Sequence, residues 1–503
     1  MQKYPIGIQD FKKLREGGFV YIDKTSFIHK MIMGAGNFFL SRPRRFGKSL
    51  LVSTLDELFK GNKDLFKDTY IYDKWDWEQT NPVIRISFSN IGEKEKGLVI
   101  SLNDKIDDLF RDFGLPLVKD SLSQKFQILI KQLSKEFSKV VILIDEYDKP
   151  IIDYLGDNDE KAKENRDILK SFYSVLKDAD ADIRLLFITG ISKFTKVSIF
   201  SDLNHLNDIS TDVNYGAICG ISEKELQAFF PQELIDNDQE RIKEWYNGYT
   251  WDRKTRVYNP FSLLNFFSKR EFHNFWYQSG HPAFLWKLLK KVNVYDIDNL
   301  DSSIEALDSY DIENLNYKTL LYQTGYITFG EELAPLFYKM NFPNREVRDS
   351  FNKFLLGNFK EDVAFDSSSL LLKMKKAFKE KDFEKIREQL NILFASLPYD
   401  FMNKEKQVIF HAIIHLTFTL MGSFVMSEVH THKGRCDALA FIDDAVYCFE
   451  FKLGKSAKDA LQQIHEKGYL NAYKNQGKQL YAIGVNYSKT SREIDDFEWE
   501  MVK

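Results

Sequence analysis

The sequence predicts a multidomain α/β protein: a parallel sheet with helices on both faces, then a helical middle, then a smaller α/β module. Three observations carry this. The chain has 503 residues, more than the roughly 250–300 that one hydrophobic core serves, so about two to four domains are expected. The first part alternates short apolar runs with helix-length amphipathic stretches. The last part changes to a helix, three strands, a helix and a strand.

Composition narrows the class. At 44% hydrophobic and 29% charged residues the chain is globular, which excludes wholesale disorder. With 70 Lys+Arg against 74 Asp+Glu, the net charge of -4 excludes a protein that coats nucleic acid by charge alone. Cys219, Cys436 and Cys448 are too few for a disulfide framework, and the opening MQKYPIGIQDFKKLREGG lacks the apolar core of a signal peptide. A cytoplasmic location is expected. Residues Val408 to Met426 contain no Asp, Glu, Lys or Arg, yet they include His411, His415, Thr417 and Thr419. That mixture reads as a buried helix running into a strand, and no membrane span is expected.

The apolar runs of the first part are Asn37–Ser41, Val83–Phe88, Val140–Ile144 and Arg184–Thr189. Strands so rich in Val, Ile, Leu and Phe are buried on both faces, as in a parallel sheet. This block is assigned to residues 1–220. From 221 to 400, segments such as Glu223–Phe230, Pro260–Phe267, Phe284–Val292 and Leu370–Phe378 read as amphipathic helices, with no strong strand series. Residues 401–503 form the last module, with strands at Phe424–Val429, Arg435–Ile442, Ala445–Leu453 and Gln479–Val485. Asp443-Asp444 suits a tight hairpin between the second and third.

Chemistry enters where the first strand meets a helix. Arg42-Pro-Arg44-Arg45-Phe-Gly47-Lys48-Ser49 is a phosphate loop in which Arg42 replaces the first glycine of G-x-x-x-x-G-K-[ST]. A strand-to-helix junction suits an anion, through its free N–H groups and the helix dipole. The run Val140–Ile144 then ends in Asp145-Glu146: an aspartate to support magnesium and a glutamate to orient or deprotonate water. Thr189, ending another strand, is placed to sense a terminal phosphate.

These residues resemble a known family. Tyr4-Pro-Ile-Gly-Ile-Gln-Asp-Phe, Tyr21-Ile-Asp-Lys-Thr, the loop from Ser41, Ile144-Asp-Glu-Tyr-Asp, Thr189-Gly-Ile-Ser-Lys-Phe and Trp245-Tyr-Asn-Gly-Tyr look like the AAA-ATPase-like domain of bacterial proteins. The resemblance covers roughly the first 280 residues. It implies an AAA-like P-loop fold with a helical lid. It also implies that Lys48 and Ser49 bind the phosphates of ATP and Mg2+, that Asp145 supports the metal, and that Glu146 is the candidate base; Arg44, Arg45 and Gly47 of the same loop are further ATP-binding candidates.

In the last module, Asp437 stands on one strand, and Glu450 and Lys452 stand two residues apart, on one face, of the next. Two carboxylates beside a lysine suit magnesium-dependent phosphodiester hydrolysis. The bland alternative is an internal ion pair on a half-exposed strand. The string resembles the PD-(D/E)XK nuclease superfamily, from Ser427-Glu428 through Gly434-Arg-Cys-Asp437 and Glu450-Phe-Lys452 to Gln463 and Ile483-Gly-Val-Asn486. The resemblance implies that Asp437 and Glu450 are metal ligands, that Lys452 is the catalytic lysine, and that Glu428 and Gln463 are accessory. Cys436 stands where the superfamily has proline.

His411 and His415 are one helical turn apart but lack companion ligands, and read as core histidines. His430 and His432 read as solvated. The aromatics Trp245, Tyr246, Tyr249, Trp251, Phe275, Trp276 and Tyr277 read as lid packing in preference to base stacking. Residues 404–503 balance 13 Lys+Arg against 13 Asp+Glu, so any grip on DNA or another nucleic acid is local or borrowed. The expected whole is an ATP-binding, ATP-hydrolysing protein with a metal-dependent nuclease gated by nucleotide. Two alternatives stay open: a nucleotide-dependent switch or scaffold, and an ATPase acting on a protein partner. Assembly into a homo-oligomer is open too.

Overall fold

The computed structural model describes residues 2–34, 36–193, 206–276, 285, 289, 300–308, 316–358, 367–395, 407–421, 424–431, 434–474, 476–488, 490–491 and 493–502. The chain divides into two compact units: Met1–Leu288 with Ile297–Arg348, and Asp349–Lys503 with Leu289–Asp296.

The first unit is organised by a five-stranded sheet of β1 (Asn37–Ser41), β2 (Val83–Ser87), β3 (Val140–Asp145), β4 (Ile183–Gly190) and β5 (Leu206–Asp208), in the order β2-β3-β4-β1-β5. Every pairing is parallel. All residues of β1 and β3 are buried, which is why their sequences run apolar without alternation. Around the sheet lie α1 (Lys48–Phe59), α2 (Leu98–Asp112), α3 (Leu122–Glu136) and α4 (Asp159–Asp178). The β3–β4 register brings the carboxyl ends of β1, β3 and β4 together, since Ile144 pairs with Ile188 and Leu40 with Thr189. Ligands of open parallel sheets bind at that edge.

Beyond the sheet, α5 (Glu223–Phe229) starts with a capping box of Ser222 and Glu225, and α6 (Pro260–Lys269) has Asn259 as its N-cap. Short strands β6 (Ile221–Ser222) and β7 (Val257–Tyr258) pair between them. The middle segment departs from an all-helical reading. β8 (Leu300–Ser303), β9 (Thr328–Ala334) and β10 (Phe337–Asn341) form an antiparallel sheet in the order β8-β10-β9. Only one face of β10 is buried, most of β9 is exposed, and β8 and β10 are short, so these strands leave little periodic signal. The expected helix Phe284–Val292 falls largely outside the described residues. The aromatics at 246, 249, 251, 275 and 276 are buried packing residues, Trp245 packs partly buried against the same core, and Tyr277 lies outside the described residues.

The second unit contains α7 (Arg345–Asn358) from residue 349 onward, α8 (Ser367–Glu380), α9 (Phe383–Ala395) and α10 (Gln407–Leu420). A sheet follows: β11 (Phe424–Thr431), β12 (Gly434–Ile442), β13 (Ala445–Leu453), β14 (Gln479–Ser488) and β15 (Glu493–Val502), in sequential order. Only β13 and β14 pair in parallel, across the crossover helix α11 (Ala457–Lys467). Ile442 pairs with Ala445, and Asp443 takes the left-handed conformation (φ 49°), so Asp443-Asp444 is the two-residue hairpin expected there. The buried helix at 408–426 is α10 running into β11, and among the described residues no helix is long and apolar enough to cross a membrane. His415 is buried in it, while the His411, His430 and His432 side chains lie outside the described ones. β15 is not expected from the sequence pattern. It is an edge strand loaded with acidic residues, which blunts edge pairing and hides its strand pattern.

Glycine is required at 484. A Cβ there would lie 2.1 Å from the Ala457 carbonyl oxygen, so its absence lets α11 approach β14. Gly484→Ala is expected to destabilise the second unit by about 1–3 kcal/mol, measured by thermal unfolding; an unchanged Tm would refute this account of the contact.

Candidate functional site

The loop from β1 to α1 is built by its own side chains. The Arg42 guanidinium is fully buried and donates to the carbonyls of Ser41 (2.8 Å), Ser210 (2.7 Å) and Tyr215 (3.3 Å). It also lies 4.3 Å from the Trp251 ring centre. The arginine in place of glycine therefore anchors the loop from behind. Arg45 and Gly47 take left-handed conformations, with φ of 69° and 98°. The Arg45 guanidinium rests 4.8 Å over the Phe261 ring of α6.

Lys48 opens α1 and is buried. Its Nζ donates to the carbonyls of Arg42 (2.8 Å) and Pro43 (3.0 Å). Burial pulls its pKa down, and the charges of Asp145 and Glu146 oppose that pull. Asp145 closes β3; burial pushes its carboxyl up, against the neighbouring Ser49 hydroxyl and Lys48. Its Oδ1 is buried without a hydrogen-bond partner among the described residues. Glu146 takes a left-handed backbone conformation (φ 54°) and accepts a 2.8 Å hydrogen bond from Ser89 Oγ beyond β2. Lysine, hydroxyl and two acids thus converge on one strand edge. An orphaned carboxylate oxygen beside a hydroxyl is the hard-oxygen donor pair that suits Mg2+.

Lys48, Ser49 and Glu146 line a cavity of ≈ 480 Å³, together with Gly7, Lys24, Arg44, Cys219 and Phe261 among others, while the buried Asp145 does not line it. The size is that of a small-molecule site. Thr189 stands apart: it is fully buried, does not line the cavity, and its hydroxyl donates to the Leu40 carbonyl at 2.8 Å. The end of β4 is instead organised by Asp148, whose Oδ2 accepts from Ile191 N (3.0 Å), Ser192 N (2.7 Å) and Ser192 Oγ (2.6 Å). Asp148 ends the Ile-Asp-Glu-Tyr-Asp string, but nothing in the sequence marks it as the organiser of this strand end. Residues 5–9 line the cavity, and Lys24 donates to Ala217 O (2.8 Å) and Glu225 Oε1 (2.6 Å), holding another wall. Backbone-built walls carry no side-chain signature.

The second constellation lies on β12, β13 and α11. Ala438 pairs with Phe449, which puts Asp437 at the register position across from Glu450. Asp437 Oδ2 accepts the Phe451 N–H at 2.8 Å. Glu450 is 3% exposed. Lys452 Nζ lies 3.0 Å from Glu450 Oε1 and 2.5 Å from Gln463 Oε1, while Gln463 Nε2 donates to Glu450 Oε1 and Tyr469 Oη. Burial, then the Asp437 charge, pushes the Glu450 carboxyl up to about 7, against the pull of Lys452. Glu450 Oε2 is buried without a partner among the described residues. The structure brings Asp437, Glu450, Lys452 and Gln463 together. Glu428 occupies the β11 position across from Asp437, between the pairs Ser427–Ala438 and Val429–Cys436; its side chain is outside the described ones. Among the described residues no group of three or more His, Cys, Asp or Glu is arranged to hold a metal ion. Two facing carboxylates, one with an orphaned oxygen, still fit a hard divalent ion that keeps water ligands.

Comparison with known proteins finds a family model over each of the two regions. Residues 5–200 match the family model described as a predicted AAA-ATPase, and residues 405–497 match the PD-(D/E)XK nuclease superfamily. A relative from Azotobacter chroococcum mcd 1, named as an uncharacterized protein in the vnfD 5' region, is 37% identical and covers 99% of this chain and 98% of its own length. The chain belongs to the family of AAA-ATPase-like proteins that carry a PD-(D/E)XK nuclease superfamily domain at the carboxyl terminus.

In metal-free protein, Glu450 binds its proton more tightly folded than unfolded. Its contribution to stability is therefore full below pH about 4.5 and is lost as pH rises through about 7. With chelator present, Tm is expected to fall over that window, and Glu450→Gln is expected to flatten the fall. An identical pH profile for the two proteins would contradict this reading.

Proposed function

We propose that the protein binds and hydrolyses ATP in its first unit and cleaves nucleic acid in its second, with the nucleotide state gating cleavage. The observation that carries the reading is the pair of buried carboxylates with orphaned oxygens, Asp145 beside Ser49 and Lys48, and Glu450 beside Asp437 and Lys452. Such groups are costly to bury unless a ligand completes them.

In the first site Ser49 and Asp145 would hold the Mg2+ that arrives with ATP and neutralises its phosphates. Lys48 exchanges its two carbonyl acceptors for phosphate oxygens, and Arg44 and Arg45 line the entrance. Glu146, steadied by Ser89, orients water. In the second site Asp437 and Glu450 would hold a magnesium ion, which when bound polarises a phosphodiester. Lys452 stabilises the charge that develops on the phosphate, and Gln463 keeps Lys452 and Glu450 in register. The balanced charge of residues 404–503 assigns the grip on DNA or RNA to other parts of the chain or to a second copy. Three buried free cysteines suit a reducing, cytoplasmic compartment.

Lys48→Ala is expected to weaken ATP binding by about 100-fold or more in calorimetry. Glu450→Ala and Lys452→Ala are each expected to cut Mg2+-dependent cleavage of DNA or RNA about 100-fold or more while leaving ATP binding intact. Cleavage that survives both substitutions would leave the nuclease-fold domain a binding module.

A further inference from the structure

A chain of contacts runs from the phosphate loop through Trp276 to Glu346. The Trp276 indole Nε1 donates to the Arg44 carbonyl at 3.2 Å, and the Trp276 backbone N–H donates to Glu346 Oε1 at 2.7 Å. The Trp276 ring meets Tyr326 edge-on, with centroids 5.2 Å apart. Glu346 is fully buried in the first turn of α7, which Asn344 fixes by accepting the Val347 N–H at 3.1 Å. Neither Trp276 nor Glu346 lines the nucleotide cavity. The chain passes from the first unit to the second between Arg348 and Asp349, two residues beyond Glu346.

The peptide bond is planar, so a hydrogen bond to the Arg44 carbonyl sets the orientation of the Arg45 N–H on the opposite side of the same plane. A phosphate loop works by the aim of its N–H groups. Here that aim cannot come from a glycine at the first position, because Arg42 occupies it and faces away from the cavity. Building on the ATP-binding reading above, we propose that Trp276 and Glu346 are positioning residues for the nucleotide: they hold the Arg44–Arg45 peptide in its phosphate-binding orientation and tie it to α7. The contact asks for an acceptor oxygen at Glu346, not for a charge. Burial in fact pushes its carboxyl up to about 8, so it is mostly neutral near pH 7.

Calorimetry of the full chain with ATP, together with steady-state ATP turnover, tests this. Trp276→Phe keeps a ring against Tyr326 but removes the indole donor; Glu346→Ala removes the acceptor, and Glu346→Gln keeps it. Trp276→Phe and Glu346→Ala are expected to raise the Kd and KM for ATP about tenfold with kcat nearly unchanged, and Glu346→Gln to bind within about twofold of wild type. Wild-type ATP affinity in Trp276→Phe overturns the proposal, as does a Glu346→Gln variant that binds as poorly as Glu346→Ala. If Glu346→Ala fails to fold, the other two variants decide. Absence of ATP binding by the wild-type chain overturns the ATPase reading itself, and the positioning role with it.

Discussion

Burial of ionisable groups that stay partly unpaired is the constraint both sites share. Removing a charge from water is expensive, and the chain meets that cost differently at each position. Arg42 is met by three carbonyls and an indole face, and it becomes part of the scaffold. Lys48 is met by two carbonyls that a phosphate can replace. Asp145 and Glu450 each keep one oxygen without a partner among the described residues, and those two oxygens are where a divalent ion would complete the structure.

Much of this was legible beforehand because it rests on strands. β1, with bounds identical to those read from sequence, and β2 to β4, within a residue or so, are continuous apolar runs; the spacing of Asp437, Glu450 and Lys452 follows from strand alternation. What was hidden has physical causes. β8 to β10 are short and half-solvated, and β15 is an acidic edge, so neither leaves a strong hydrophobic period. Thr189 ends a strand as expected, but parallel pairing with β1 turns its hydroxyl to the Leu40 carbonyl, a register effect one strand alone does not reveal. Asp148 and Lys24 act on distant backbone, and such contacts exist only after folding.

The two constellations are built alike at different scales. In each, a carboxylate on a central strand meets a lysine and a helix-borne polar group: Asp145 with Lys48 and Ser49 on α1, Glu450 with Lys452 and with Gln463 on α11. Each depends on a close backbone arrangement that side chains alone do not specify, the left-handed Gly47 in one and the Gly484–Ala457 approach in the other. The near-neutral net charge of -4 gives the chain no general attraction for polyanions spread over its surface.

The most direct test of the account is a time course of Mg2+-dependent cleavage of single- and double-stranded DNA and RNA, with and without ATP, by the wild-type chain and by Lys48→Ala. Two working, coupled sites predict that the wild-type chain cleaves at least one substrate at a rate that changes with ATP, and that Lys48→Ala abolishes this ATP dependence. Cleavage by Lys48→Ala that matches the wild type under every nucleotide condition would contradict the coupling.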